Sequence, residues 1–281
     1  MKPSPFSYHR PADVAEALAT LAGLPDAKVL AGGQSLLPIL SMRLAAPAHL
    51  VDINRLTELA TVTTTPAGVL VGALARHART ERDEDAFAVQ PLLRQGSRLV
   101  AHPTIRNRGT TVGSLVHADP SGELPAVLAL TGGHVTLASA TGRRDVAAAD
   151  FFVAPLESAL APGELAVHAF FPALLPRTGT AFVEVARRQG DYAVCAVAAM
   201  VTHHPDGSVA QARAAYVSCA PTPVVVDLTG LADEDAGEAA LAALEPEADL
   251  HASVAYRSQL VRVLTARALT EAREASEWRA A

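Results

Sequence analysis

Apolar and polar positions divide the chain into two regimes. Up to about residue 175, short apolar runs alternate with segments of helical spacing, and beyond it three long apolar runs come in succession and helices follow. Pro11 opens a helix with Asp13 in its first turn, and Val14, Leu18 and Leu21 share one face. Residues 28–31 read as a strand, 36–44 as an amphipathic helix with Pro38 harmless in its first turn, and 49–53 as a returning strand. These make a βαβ-like unit that ends near Leu56. Residues 61–64 and 69–72 flank Pro66-Ala67-Gly68 as a hairpin. Residues 81–100 are mainly helical with an interruption near Pro91. Residues 101–122 are polar and irregular; a loop of that length inside a compact domain is usually functional or disordered, and this one, holding Thr104, Arg106, Asn107, Arg108, Thr110, Thr111 and Ser114, does not read as disordered. A short helix over 124–130 stops at Gly132-Gly133, strands follow at 134–138 and 165–171, and Phe151 and Phe152 are core anchors. Pro172 and Pro176 mark a boundary. After it, 181–186, 194–202 and 209–218 read as strands, with His204-Pro205-Asp206-Gly207 as a turn. Pro221-Thr222-Pro223 breaks the pattern, and 234–244 and 253–274 read as helices. Strands followed by helices predict an α+β unit with helices on one face of an antiparallel sheet. The predicted division is 1–57, 58–175 and 176–281.

Composition narrows the function classes. With 281 residues, 50% apolar and 19% charged, the chain can bury substantial cores. A net charge of −6 and the lack of a basic stripe give no reason to bind nucleic acid. Two cysteines, Cys195 and Cys219, cannot hold an iron–sulfur cluster, which takes four thiolates, and in apolar contexts they read as buried hydrophobes. The histidines have neither zincin nor zinc-finger spacing, so no metal ligands are assigned, and no nucleophile elbow is present. The first ten residues lack the apolar core of a signal peptide, and the longest apolar run, 193–201, is too short to span a bilayer. The expectation is a cytoplasmic protein without a transmembrane segment.

Candidate chemistry lies in two loops. Leu30-Ala31-Gly32-Gly33-Gln34-Ser35-Leu36 runs from strand to helix. Its adjacent glycines remove the Cβ atoms that keep a ligand from the backbone, and Ser35 is placed to cap the helix, whose N-terminus offers free N–H groups to an anion. A tight turn without ligand is the other reading of the same residues. Gly109-Thr110-Thr111-Val112-Gly113-Ser114 is a second small, hydroxyl-rich loop about eighty residues later. Hydroxyls and close backbone N–H groups suit a pyrophosphate, and two such loops can grip one diphosphate from two sides. Arg106 and Arg108, beside it, read as solvated surface charges in the absence of a ligand.

Leu30-Ala31-Gly32-Gly33-Gln34-Ser35-Leu36-Leu37-Pro38, Ile105-Arg106-Asn107-Arg108-Gly109-Thr110-Thr111 and His117-Ala118-Asp119-Pro120 together resemble the FAD-binding medium subunit of the molybdenum hydroxylases, the family of carbon monoxide and xanthine dehydrogenases. Val51-Asp52-Ile53-Asn54, Asp150-Phe151-Phe152, Arg187-Arg188-Gln189-Gly190-Asp191-Tyr192-Ala193 and Tyr256-Arg257 extend the resemblance nearly end to end. It implies an α+β, PCMH-type FAD-binding fold of two subdomains, followed by an α+β C-terminal domain that closes over the flavin. FAD would lie between the first two subdomains, its pyrophosphate cradled by 30–37 and 110–114. Glu123 aligns with an acidic position near the flavin end, and Asp191 and Tyr192 would come from the third unit. Tyr192 would pack near the isoalloxazine, or else serve as a core aromatic with a satisfied hydroxyl.

The resemblance further implies a large molybdopterin-binding partner, a small partner with two [2Fe–2S] clusters, a dimer of heterotrimers, and FAD in this chain passing electrons to an external acceptor. No catalytic residue is assigned, since the flavin carries the chemistry. One departure stands out: the family usually has two glycines where this chain has Val112-Gly113. If that position needs a positive φ, valine costs about 1–3 kcal/mol, and the expectation is that Val112 points away from the phosphates. A self-contained flavin oxidase and a structural subunit that has lost FAD are the competing readings.

Overall fold

In a computed structural model the chain is described over residues 1–280, with side-chain environments through Ser276. The first unit holds β1 (Ser7–His9), α1 (Val14–Gly23), β2 (Ala27–Leu30), α2 (Leu36–Ser41) and β3 (His49–Asp52). Its strands form a parallel sheet in the order β1-β3-β2. Strand β1 escapes prediction because three residues, all partly solvated, leave no apolar run. Asp13 is the N-cap of α1 and not a residue of its first turn: its carboxylate accepts the Glu16 N–H at 2.8 Å.

The second unit opens with a 3₁₀ turn, Thr57–Leu59, and the predicted hairpin, β4 (Val62–Thr65) and β5 (Gly68–Gly72). Helices α3 (His77–Arg82), α4 (Glu84–Val89) and α5 (Pro91–Leu99) follow, the last started by Pro91 at its first position. The stretch 101–122, expected to be irregular, contains two short helices, α6 (Pro103–Arg106) and α7 (Thr111–His117). Both are too short to show helical periodicity, and caps define them: Pro103 begins α6, and Thr110 Oγ1 accepts the Gly113 N–H at 3.2 Å to begin α7. Helix α8 (Glu123–Thr131) ends at Gly132 in the left-handed conformation. Then come β6 (His134–Ser139), β7 (Gly142–Ala147), α9 (Ala148–Phe151), β8 (Phe152–Ala154), β9 (Glu157–Ser158) and β10 (Leu165–Pro172). The five-stranded antiparallel sheet has the order β4-β5-β10-β6-β7. Strand β7 carries Arg143, Arg144 and Asp145 on an exposed edge, so hydropathy does not reveal it. Phe151 is wholly buried, as expected of an anchor, while Phe152 is only partly so.

The third unit comprises β11 (Thr178–Ala186), β12 (Ala193–His203), β13 (Val209–Val217), β14 (Val224–Asp227), α10 (Asp233–Ala242) and α11 (Val254–Ala280). The strands form an antiparallel sheet in sequence order, with β14 following the predicted break at Pro221-Thr222-Pro223. Both faces of this sheet are covered. Val183, Val197, Ala199 and Tyr216 pack with α10 and α11. The alternate positions, Phe182, Ala196, Ala198, Ala215 and Val217, join the core of the first two units against α5 and α8. The long apolar runs of β12 and β13 follow from this double burial.

Candidate functional site

Both glycine-containing loops lie at the junction of the first two units, and they touch. Gly32 sits so close to the second loop that a Cβ there would lie 2.5 Å from the Arg108 carbonyl oxygen and 2.8 Å from Gly109 Cα. The missing side chain therefore serves the approach of two backbones. Gly33 supplies the turn, with φ of +73°. Ser35 already has helical φ and ψ and makes no side-chain cap, contrary to the expectation for it; helical bonding begins earlier, with the Leu37 N–H donating to Gly33 O. Among the described residues, the backbone N–H groups of Gly32, Gly33, Gln34, Ser35 and Leu36 donate no hydrogen bond. Five unsatisfied donors on consecutive residues at the head of a helix are the donor set an anion needs.

Two ladder bonds anchor the second loop, His77 N–H to Gly109 O at 3.0 Å and Thr111 N–H to Ala75 O at 3.1 Å. Beneath Gly109 lies the buried His77 ring, which burial and then Arg106 push down to about 4, so it is neutral at pH 7. Arg106 is not a solvated charge: only 12% of its side chain is exposed, and it bonds Glu81 at 2.9 Å and the carbonyls of Val100 and Ala101. Thr110 to Ser114 form the cap and first turn of α7 instead of an open loop. Val112 is helical, its backbone needs no positive φ, and its side chain is buried in the core. Thr111 is also buried, with its hydroxyl 2.9 Å from that of Thr80. The amides of Thr110 and Val112 donate no hydrogen bond among the described residues.

A polar relay that sequence reading missed binds the loops together. Tyr8 donates to Asp52, whose other oxygen accepts the Asn54 N–H at 2.8 Å and its side-chain amide at 2.6 Å. Burial works against the Asp52 charge, but the bonds from Tyr8 and Asn54 outweigh it and hold the carboxyl below its ordinary range. Asn54 Nδ2 reaches the Ala31 carbonyl at 2.8 Å, and Asn54 Oδ1 accepts from Arg76 Nη2 at 2.6 Å. Arg76 Nη1 donates to the Arg108 carbonyl at 2.6 Å. Arg76 thus spans both loops, and burial and neighbouring Arg108 press its guanidinium below the ordinary arginine value. Arginine in a strand-to-helix connection carries no signal by itself, which is why it went unnoticed.

Glu123, Asp191 and Tyr192 form a second group, in which Glu123 follows α7 in the chain and Tyr192 lies near enough to the Asp119 and Glu123 carboxylates to feel their charge. Glu123 opens α8 and is 7% exposed. Burial, with smaller contributions from Glu184 and Asp119, raises its carboxyl to about 8. Tyr192 is 68% exposed and therefore not a core aromatic. Desolvation of its hydroxyl, then the Asp119 and Glu123 carboxylates, raise its phenol. Asp191 pairs with Arg188 at 3.1 Å, which lowers it. Asp119, Ser121, Arg187, Arg188, Asp191, Tyr192 and Arg257 surround a cleft of about 530 Å³ between the second and third units. Its walls are joined by the Ser218 N–H bond to Pro120 O, 2.9 Å, while the buried Arg257 braces the third unit's wall, donating to Val194 O at 2.9 Å and to Asp249 at 2.6 Å.

A parallel βαβ unit and an antiparallel sheet that meet at two backbone loops with free amides, with a third unit closing one end, define a protein built to hold a phosphate-bearing cofactor. Comparison with known proteins identifies the family. Residues 4–174 match the FAD binding domain in molybdopterin dehydrogenase. The alpha subunit of the 6-hydroxypseudooxynicotine dehydrogenase complex of Paenarthrobacter nicotinovorans is 38% identical, covering 97% of this chain and 96% of that protein. The carbon monoxide dehydrogenase medium chain of Hydrogenophaga pseudoflava is 35% identical over 97% of this chain and 98% of its own. Its solved enzyme superimposes with a TM-score of 0.91, at 97% and 98% coverage. Quinoline 2-oxidoreductase from Pseudomonas putida 86 does so with 0.90 at 34% identity, covering both chains fully. The chain belongs to the FAD-binding medium subunits of the molybdenum hydroxylases, and it is the flavoprotein component of a multi-subunit molybdopterin-dependent dehydrogenase. Among the described residues no helix is long and apolar enough to cross a membrane.

Proposed function

We propose that this chain takes electrons from the [2Fe–2S] clusters of a small partner and passes them through FAD to an external acceptor, while a large molybdopterin partner oxidises the substrate. The observation that carries the reading is the run of five unbonded amides at Gly32 to Leu36, facing a second loop whose Thr110 and Val112 amides are also free. FAD, when bound, supplies two-electron and one-electron exchange. The chain's own residues do the rest. Amides of both loops bind the diphosphate, Arg76 and Asn54 hold the loops at a fixed spacing, and Glu123, Asp191 and Tyr192 border the flavin end. The units 1–57, 58–175 and 176–281 are the proposed domains, since among the described residues no sheet exchanges a strand across those limits. The proposed assembly is a dimer of heterotrimers in the cytoplasm.

Two features bear on the competing readings. Val112 bears on the reading of a subunit without FAD: its backbone is helical and its side chain is buried in the core, so no positive-φ strain arises there. The carbon monoxide dehydrogenase and nicotine 6-hydroxylase relatives carry the names medium chain and medium subunit, which favours a partnered component over a self-contained oxidase. The test is acid extraction of the purified native complex together with its native mass. One FAD per copy of this chain, with two co-purifying subunits, supports the reading, and a flavin-free complex that cannot be loaded with FAD refutes it.

A further inference from the structure

The connection between β11 and β12, residues 187–192, forms one wall of the cleft, with Asp119 and Ser121 of the second unit also lining it. The body of the third unit is fixed to the second by apolar packing on α5 and α8 and by the Ser218 hydroxyl, which donates to Ser121 Oγ at 2.8 Å. The 187–192 turn is held differently. Asp191 N–H donates to Arg188 O at 3.1 Å, and Arg188 Nε donates to the Asp191 carboxylate at 3.1 Å, so the turn is bonded to itself. Arg187 meets His251, again a residue of the third unit. Among the described residues no hydrogen bond runs from 187–192 to the second unit.

What reaches the turn from the second unit is the His102 ring. A Cβ on Gly190 would lie 2.6 Å from His102 Cε1, 2.7 Å from Nδ1 and 3.0 Å from Nε2, so the ring occupies the space that a side chain at 190 would need. Gly190 also has a φ of +83°, and both facts favour glycine there. The ring is carried on a backbone fixed from both sides. The His102 carbonyl accepts the Ile105 and Arg106 N–H groups at 2.9 and 3.0 Å, which starts α6. The Arg106 side chain bonds the two carbonyls just before His102, those of Val100 and Ala101. Ala101 has a φ of +42°, a conformation that a β-carbon disfavours and that its surroundings must maintain. His102 itself is exposed, so its contact with Gly190 is peripheral and separable, unlike the core behind it.

We propose that His102 is a positioning residue for the flavin end: its ring is the rest on which the 187–192 turn lies, and this clasp keeps Tyr192 at the mouth of the cleft, where it limits access of the external acceptor to the flavin. The role at the flavin rests on the FAD reading above; the clasp between His102 and Gly190 does not.

The test uses the purified complex, first stripped of flavin and then reloaded with FAD, for wild type, H102A and H102F. Trypsin cuts after arginine, and Arg187 and Arg188 lie in the turn, so nicking there, read from fragment masses, reports how often the turn opens. Flavin-free H102A should be nicked in the turn about tenfold faster than wild type. Cutting at Arg143, on the exposed edge strand β7, should keep its wild-type rate, which separates turn opening from general unfolding. H102F keeps a flat ring under Gly190 and should restore most of the protection. Equal nicking of the turn in wild type and H102A, or no protection in H102F, would overturn the clasp. With FAD bound and chemically reduced, H102A should speed flavin reoxidation by methylene blue, a bulky acceptor, several-fold more than reoxidation by molecular oxygen. An unchanged ratio of the two rates would overturn the role at the flavin. A complex that takes up no FAD refutes the cofactor reading and with it that role, while the flavin-free nicking still decides the clasp.

Discussion

Gly32→Ala is the sharpest perturbation of the loop junction. The added methyl would lie 2.5 Å from Arg108 O, 2.8 Å from Gly109 Cα and 3.1 Å from Gly109 C, whereas ordinary contact begins at 3.4 Å. All three obstacles are backbone, so no side chain can swing aside, and the loops must part by about 1 Å. Forcing one methyl into packed surroundings costs about 1–3 kcal/mol. The strain falls on the two segments whose amides would grip the diphosphate, so the loss appears in cofactor binding as well as in stability. At 1.4 kcal/mol per factor of ten, FAD affinity should fall by about 10- to 100-fold. Fluorescence titration of the deflavinated complex with FAD gives the affinity, and thermal unfolding without FAD gives the stability. Gly23→Ala is the control, because nothing lies within 4 Å of its Cβ position and its φ is ordinary. A Gly32→Ala protein that binds FAD as tightly as wild type would refute the claim that close approach of the loops builds the site.

Arg76→Gln removes two charge-assisted bonds at 2.6 Å, each worth about 1.5–3 kcal/mol. It should weaken FAD binding at least about tenfold while the far-ultraviolet circular dichroism stays unchanged, and tight FAD binding with Arg76 gone would contradict the relay. Thr110→Ala removes the cap of α7 and should cost about 1 kcal/mol in thermal stability, with Thr110→Ser restoring most of it. His77 titrates near 4 when folded against 6.5 unfolded. The unfolded chain therefore binds the extra proton first, so this contribution to stability is full above about pH 6.5 and is lost as pH falls toward about 4. Denaturant melts across that window should show the loss, and His77→Gln should flatten it.

Elements with strong periodicity or hydropathy were legible: the hairpin at Gly68, helix α8 with its glycine stop, and the three long strands of the last unit. Those that escaped owe their existence to something other than an apolar pattern. Strand β1 is three partly solvated residues, β7 is a charged edge, and α6 and α7 are defined by Pro103 and Thr110 acting locally. The same distinction governs the site. Gly32 and Gly33 announced a turn, but that Gly32 accommodates another backbone segment depends on a contact 76 residues away, with Arg108. Arg76 and Asn54 act through tertiary hydrogen bonds that no spacing encodes. Arg106 looked like a surface charge because its carbonyl partners belong to a turn, Val100-Ala101, that becomes visible only in three dimensions.

In the proposed function the two loops form a seat for the diphosphate of FAD, and this seat carries the affinity. Riboflavin has the same ring and ribityl chain but no phosphate, so the direct measurement is the dissociation constant of each for the deflavinated complex at fixed salt. FAD is expected to bind at least about 100-fold tighter than riboflavin, some 2.7 kcal/mol, with the difference shrinking in Gly32→Ala. Equal affinities for the two ligands would contradict it.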